Sequence, residues 1–209
     1  MKAIINTVLL KDLRTDEYRE ANLFQGIDVD TLKGIQKEWA PEFEAAGADV
    51  RPEDAHWDWV RKSLAAMKNP FVYEIFGIDI DEQTQGMMLA AKGGVNSFSR
   101  HQDHLRKPLV YVDFLATAPW NRPLLTPRPK FKGVGRMLIA TAISLSYEEE
   151  FDGRIGLHSL PGAERFYREI MKMHDFGGDP DYHNLRYFEL TQAMAKELTG
   201  YEPPKKKGG

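Results

Sequence analysis

Apolar residues recur along this chain with two different periods, and the switches between them outline its elements. Residues 2–10, apolar at Ala3, Ile4, Ile5, Val8, Leu9 and Leu10, predict a first strand. Over residues 30–46 the spacing of Leu32, Ile35, Trp39 and Phe43 predicts a helix capped by Asp30, kinked or broken at Pro41 and ended by Gly47. Arg51-Pro52-Glu53-Asp54 opens a second helix with proline and acids in its first turn. Trp57, Val60, Leu64 and Met67 form its apolar face, and Asn69-Pro70 stops it. Residues 71–80 and 85–93 read as two strands of a hairpin around the polar turn Asp81-Glu82-Gln83-Thr84. A polar loop over residues 93–107 leads to a strand at 109–117, whose β-branched, aromatic and aliphatic residues suit the centre of a sheet. Residues 121–129 contain three prolines and read as a loop. A helix at 135–147 follows, with Met137, Leu138, Thr141, Ala142 and Leu145 inward, then a short strand at 154–159 and a helix at 162–171. A strand at 185–190 and a helix at 191–198 close the order.

Strands that come in a run, then helices and strands in alternation, predict an α/β (α+β) chain: a mixed sheet with helices on both faces. A doubly wound dinucleotide fold is excluded, because the glycine turn comes late, after three strands without intervening helices. Residues 1–200 read as one domain, and the Lys/Gly run at 201–209 as a solvated tail.

Composition narrows the chemistry. A 42% hydrophobic and 28% charged chain is that of an ordinary globular protein, and a formal net charge of −3 does not mark a nucleic-acid binder. With no cysteine, disulfides, thiolate metal sites and a cysteine nucleophile are excluded, which fits a reducing cytoplasm. The apolar start is too short for a signal peptide, and no stretch approaches the ~20 apolar residues of a membrane span. His101, Asp103 and His104 lie in a polar loop with no evident supporting partner, so a metal site is not expected there.

The densest chemical signal is Lys130-Phe131-Lys132-Gly133-Val134-Gly135 ahead of an apolar helix. Glycines let consecutive backbone N–H groups converge, and with the positive helix end behind them these donors suit a phosphate or pyrophosphate. Lys130, Lys132 and Arg136 add counter-charge. Taken alone, the hexapeptide reads equally well as a plain strand-to-helix turn with surface lysines.

The wider sequence resembles the GNAT (Gcn5-related) superfamily of N-acetyltransferases. Lys130, Gly133 and Gly135 match the Arg/Gln-x-x-Gly-x-Gly/Ala signature, with Lys in place of Arg or Gln. Leu115-Ala116-Thr117-Ala118-Pro119 looks like the end of the family's fourth strand with its following proline. Ala163-Glu164-Arg165-Phe166-Tyr167 resembles the fourth-helix pattern of alanine followed by tyrosine four residues on, and Asp175-Phe176-Gly177-Gly178 has the character of the next element. The likeness covers residues 71–190. Two departures stand out: residues 120–129 lengthen the connection to the glycine turn, and Leu160 occupies a position where the family often has asparagine.

The resemblance implies a mostly antiparallel sheet whose fourth and fifth strands splay apart, with acetyl-CoA as the donor and no metal. Its pyrophosphate would lie on Lys130, Phe131, Lys132, Gly133, Val134, Gly135 and Arg136, and its pantetheine arm along Leu115, Ala116 and Thr117. One amide of that strand would hold the thioester oxygen as charge develops. An amine would attack directly, and Tyr167 would protonate the departing thiolate. The base stays open. Asp113 stands mid-strand in an apolar run that would raise its pKa, while Glu74, His158 or a chain of waters could serve instead. Trp57 and Trp59 flank Asp58 and could line an acceptor pocket, with Trp57 expected in the core and Trp59 the one to watch for exposure.

The expected function is N-acetyl transfer to an amine, a small molecule favoured over a protein. The alternative is a non-catalytic acyl-CoA-binding or regulatory module on the same fold. A nucleotide-binding protein fits poorly, because the glycine turn lacks the Lys-Ser/Thr ending of a P-loop. No partner beyond the acceptor is implied; dimers are common in such enzymes, but no sequence feature demands one.

Overall fold

Only the last residues of the first strand face inward. In β1 (Ala3–Asp12) Leu10 and Asp12 are buried while Ile4, Ile5 and Leu9 stay exposed, so the strand is anchored at its C-terminal end. The computed structural model describes residues 2–45 and 52–200, and the chain divides there into two compact units. The predicted stop at Gly47, the start at Arg51 and the Lys/Gly tail lie outside the described residues.

The first unit comprises residues 1–90 and 113–139. It holds β1, β2 (Tyr18–Gln25), α1 (Val29–Ala45), α2 (Trp59–Met67), β3 (Tyr73–Ile80) and nearly all of β4 (Gln83–Ala91). The later part of β5 (Val110–Thr117), β6 (Phe131–Lys132) and the first turns of α3 (Val134–Glu148) complete it. Its strands run in the order β6-β1-β2-β3-β4-β5. β1 pairs antiparallel with β2 on one side and with β6 on the other, and β2 pairs antiparallel with β3. β3 and β4 are joined by Asp81 and Glu82, both at positive φ, the geometry of a tight hairpin turn whose twist matches the strands.

The core of this unit fills the space between the sheet and helices α1 and α2. Leu32, Ile35, Trp39 and Phe43, the residues whose spacing predicted α1, pack against Phe24, Ile75, Met87, Leu89 and Ala116. Pro41 does not break α1, which runs unbroken for 17 residues. On the other face of β4, Gly86 admits α3: a Cβ there would lie 2.5 Å from Val134 Cγ1 and 3.2 Å from Leu138 Cδ1.

The second unit comprises residues 91–112 and 140–209. It contains the first residues of β5, the rest of α3, β7 (Ile155–Ser159), β8 (His174–Asp179), β9 (Leu185–Leu190) and α4 (Gln192–Thr199). Its strand order is β5-β7-β9-β8, with β9 antiparallel to both neighbours. β5 and β7 are parallel, with a register of Val110↔Ile155 and Tyr111↔Gly156. The sheet is mixed and mostly antiparallel with flanking helices, the class read from the sequence.

Several predictions of local structure are corrected. β2, β6 and β8 were not anticipated. The second helix begins only at Trp59, because the Asp58 carboxylate accepts the Arg61 N–H and caps it there. Its buried face is therefore Trp59, Ser63 and Ala66, while Leu64 is exposed. Residues 162–171 are not a regular helix: a 3₁₀ turn at Pro161–Ala163 leads into a π-helical turn at Phe166–Ile170.

Candidate active site

The site is built outward from the last residues of β5. Ala118 N–H donates to the Gln85 carbonyl at 2.8 Å. The fully buried Gln85 side chain then accepts from Trp120 Nε1 at 2.8 Å and Asn121 Nδ2 at 3.0 Å, which fixes the turn Pro119–Asn121. Arg122 Nε donates to the Thr117 carbonyl at 2.8 Å, and its two terminal nitrogens grip the Asp54 carboxylate at 2.7 Å each. Both side chains are largely withdrawn from water, and a bidentate guanidinium–carboxylate pair suits that setting. Trp120, the first residue of the lengthened connection, is buried edge-on to Trp39, with ring centroids 6.4 Å apart. Leu115 and Thr117 are half-buried and Ala116 is buried.

The glycine turn follows. Lys130 N–H donates to the Trp120 carbonyl and Phe131 N–H to Asn121 Oδ1, so two of the amides expected to face a phosphate are already engaged. Phe131 and Lys132 instead pair with Asp12 and Lys11 of β1. Gly133 has φ +105°, where a side chain would be strained, and its carbonyl accepts the first helical bond, from Met137 N–H. That leaves the N–H groups of Val134, Gly135 and Arg136 without intrahelical acceptors at the start of α3. Val134 is buried, whereas Lys132 and Arg136 are exposed beside this turn.

A cavity of about 570 Å³ lies within the first unit. Trp57, Lys62, Tyr73, Asp113 and Phe114 are among the residues that line it. Trp57 meets Phe114 edge-on at 5.0 Å, and Lys62 Nζ lies 3.3 Å from the Phe114 ring centroid. The sequence reading of the two tryptophans is reversed: Trp59 is in the core, and half-buried Trp57 faces the cavity. The Asp113 carboxylate accepts no hydrogen bond among the described residues, in contrast to the arginine or backbone partner that a buried carboxylate usually finds. Burial pushes its pKa up to about 6, and the nearby Lys62 charge opposes that shift only in part. Burial lowers the Lys62 pKa, with Asp113 acting against it.

The other candidate bases are tied up elsewhere. Glu74 accepts from Gln25 Nε2 at 2.9 Å. His158, in the second unit, is 2.6 Å from the Tyr111 hydroxyl through Nδ1 and 2.9 Å from Asp179 Oδ2 through Nε2. Burial lowers its pKa. Burial works to raise Asp179, but bonds from His158, Arg100 and the Asp181 N–H outweigh it and hold that carboxyl at about 2. An ionised Asp179 accepts a hydrogen bond from His158 Nε2–H, so in the neutral ring Nδ1 is the acceptor for the Tyr111 hydroxyl. Tyr167, also in the second unit, is buried in the π-helical turn with its ring near Phe166 and Phe188. His101 contacts His104, His174 and Phe176, and among the described residues no group of three or more His, Asp or Glu is placed to hold a metal. No described helix is long and apolar enough to cross a membrane. Sequence reasoning missed Gln85, Arg122, Asp54 and Lys62. Of these only the Arg122–Asp54 pair left a trace, as complementary charges, and nothing in the chain's pattern joins them.

No family model and no curated protein sequence matches the chain. Solved structures do match its fold. A GNAT-family acetyltransferase from Listeria monocytogenes aligns with a TM-score of 0.56 at 14% identity, over 88% of this chain and 99% of that one. The GNAT domain of S. lividans PAT aligns at 0.53 and 11% identity, over 88% and 95%. A GNAT-family acetyltransferase of Desulfovibrio desulfuricans aligns at 0.51 and 11% identity, over 82% and 99%.

Proposed function

Because this chain has the fold of the GNAT acetyltransferases, we propose that it moves an acetyl group from acetyl-CoA to an amine by direct attack. The observation that carries the reading is the position of Asp113. It faces the 570 Å³ cavity and stands on β5 two residues before Leu115, the start of the stretch assigned to the pantetheine arm. A base for the acceptor and a track for the donor thus share one strand.

The pyrophosphate would be held by the free amides of Val134, Gly135 and Arg136, with Lys132 and Arg136 as counter-charges and Gly133 shaping the turn. Lys130 and Phe131 have their amides engaged and would support the loop rather than donate to it. Acetyl-CoA supplies the acetyl group as a thioester. Leu115, Ala116 and Thr117 would align its arm, one of their N–H groups meeting the carbonyl oxygen. Asp113, with a pKa of about 6, is mostly ionised at neutral pH and basic enough to take the proton that the amine loses. Tyr167 keeps the role of proton donor to the thiolate that the family pattern gives it.

The test is thiol release from acetyl-CoA with a panel of small amines, the acetylated product being identified by mass. The expected result is turnover that Asp113→Asn lowers about a hundredfold or more. Acetyl-CoA binding without thiol release from any amine would make the chain an acyl-CoA-binding module instead.

A further inference from the structure

The cavity beside Asp113 carries charge of both signs, and Lys62 and Asp113 attract each other across it without forming an ion pair within 4.0 Å. Lys62 is half-buried and makes no ion pair within 4.0 Å among the described residues. Its Nζ rests on Phe114 at 3.3 Å and near Trp57 at 5.0 Å. An ammonium partly withdrawn from water without a carboxylate contact is costly, and a ligand that brings one would recover that cost. Asp113 likewise lacks a hydrogen-bond donor among the described residues. A single aromatic-walled space of about 570 Å³ thus presents a half-buried ammonium and a carboxylate that are not in contact with each other, with Asp58 and Arg61 further along the lining. That pattern complements a zwitterion with an apolar body, and the volume suits a small ligand.

Other acceptors fit less well. A polycationic amine would bring its surplus charge against Lys62 and Arg61 along the same lining, where Asp58 is already engaged in capping α2. A lysine side chain of a protein has no carboxylate beside its amine.

We infer that the acceptor is a free amino acid with a large apolar or aromatic side chain, its carboxylate held by Lys62 and its amine presented to Asp113. The inference rests on the acetyl-transfer reading above. The amine gives one proton to the Asp113 carboxylate, and its lone pair attacks the acetyl carbon. The C–N bond forms, the C–S bond breaks with its electron pair on sulfur, and the second proton that the nitrogen sheds ends on that thiolate, giving the amide and the free thiol. The product amide has lost the positive charge that Asp113 attracted, so only the Lys62 contact still holds it.

Calorimetry on the full chain in the presence of CoA tests this, with two matched pairs: L-phenylalanine against phenethylamine, and L-leucine against isopentylamine. Each amino acid is expected to bind about tenfold tighter than its decarboxylated partner. Lys62→Met should bring the two within about twofold, and Lys62→Arg should restore most of the difference. Equal binding within the pairs, a preference unchanged in Lys62→Met, or no amino-acid binding below about 10 mM would overturn the inference. Thiol release measured alongside separates the two readings. Lys62-dependent amino-acid binding without CoA release sinks the transferase and keeps the ligand class. Equal turnover of the carboxylate-free amines keeps the transferase and sinks the class.

Discussion

Gly86 and Val134 are packed so closely that a Cβ on Gly86 would fall 2.5 Å from Val134 Cγ1, with the Ala116 carbonyl at 3.1 Å on the strand side. The helix that starts the proposed pyrophosphate site is therefore seated on a glycine. Gly86→Val should cost about 1–3 kcal/mol through overpacking and, by displacing the start of α3, weaken acetyl-CoA binding. In a Gly86→Ala background, Val134→Ala should recover much of the loss. Melting temperature and calorimetry read both effects. A lowered melting temperature with unchanged acetyl-CoA affinity would detach this end of α3 from the cofactor.

Acetyl-CoA at 100 times its dissociation constant should stabilise the protein by about 2.7 kcal/mol. For a chain of this size that is a rise of roughly 5–10 °C in melting temperature. Lys132→Ala combined with Arg136→Ala should shrink the rise by removing exposed counter-charge, and ATP should give none. A rise with ATP equal to that with acetyl-CoA would count against the assigned ligand.

Asp113→Asn is expected to lower kcat/KM by about a hundredfold or more. In the wild type, activity should climb as pH rises through about 6, where Asp113 loses its proton, and the variant should lack that limb. Stability should move the opposite way. Between the ordinary carboxylate range and pH 6 the folded state holds a proton that the unfolded chain has released, so stability falls as pH rises across that window. Asparagine removes the penalty. With about 1.4 kcal/mol per pKa unit, reduced because Asp113 is not fully enclosed, a gain of about 1–2 kcal/mol at pH 7 is expected. Denaturant melts of both proteins at pH 4.5 and 7 check the sign.

Tyr167→Phe should reduce turnover while leaving acetyl-CoA affinity nearly intact. The phenyl ring keeps the packing near Phe166 and Phe188, so the fold should survive. Wild-type turnover in this variant at every pH would remove Tyr167 from the chemistry.

Long amphipathic stretches were legible in the chain. Leu32, Ile35, Trp39 and Phe43 predicted α1 and are its buried face, and of the five residues expected inward on α3, Leu138, Thr141, Ala142 and Leu145 are buried while Met137 is half-buried. β2 escaped notice because its pattern is uneven: Ala21, Leu23 and Phe24 are buried amid Arg19, Glu20 and Asn22, and its partner β1 carries an irregularity between Ile4 and Asn6. β8 is hidden by its composition, His-Asp-Phe-Gly-Gly-Asp, and by a register shift between Asp175 and Gly178. In α2 the large residues misled, since Ser63 and Ala66 face the core. Small residues at a close helix contact leave no hydrophobic signature.

The candidate site divides along similar lines. Gly133 and the residues of β5 are local in sequence and could be read from it. Lys62 and Asp113 meet at one cavity only because α2 packs near β5, a relationship no spacing rule encodes.

Arg122 gives the longer connection after β5 an unexpected character. From the sequence, residues 120–129 look like an insertion ahead of the glycine turn. In the fold, the Arg122 side chain joins the end of β5 at Thr117 to Asp54 in the turn before α2, a residue 68 positions from Arg122 itself. Trimming the connection to a shorter length would remove a strut. An engineer seeking a wider acceptor range would do better to leave it whole and work on the wall formed by Trp57 and Phe114.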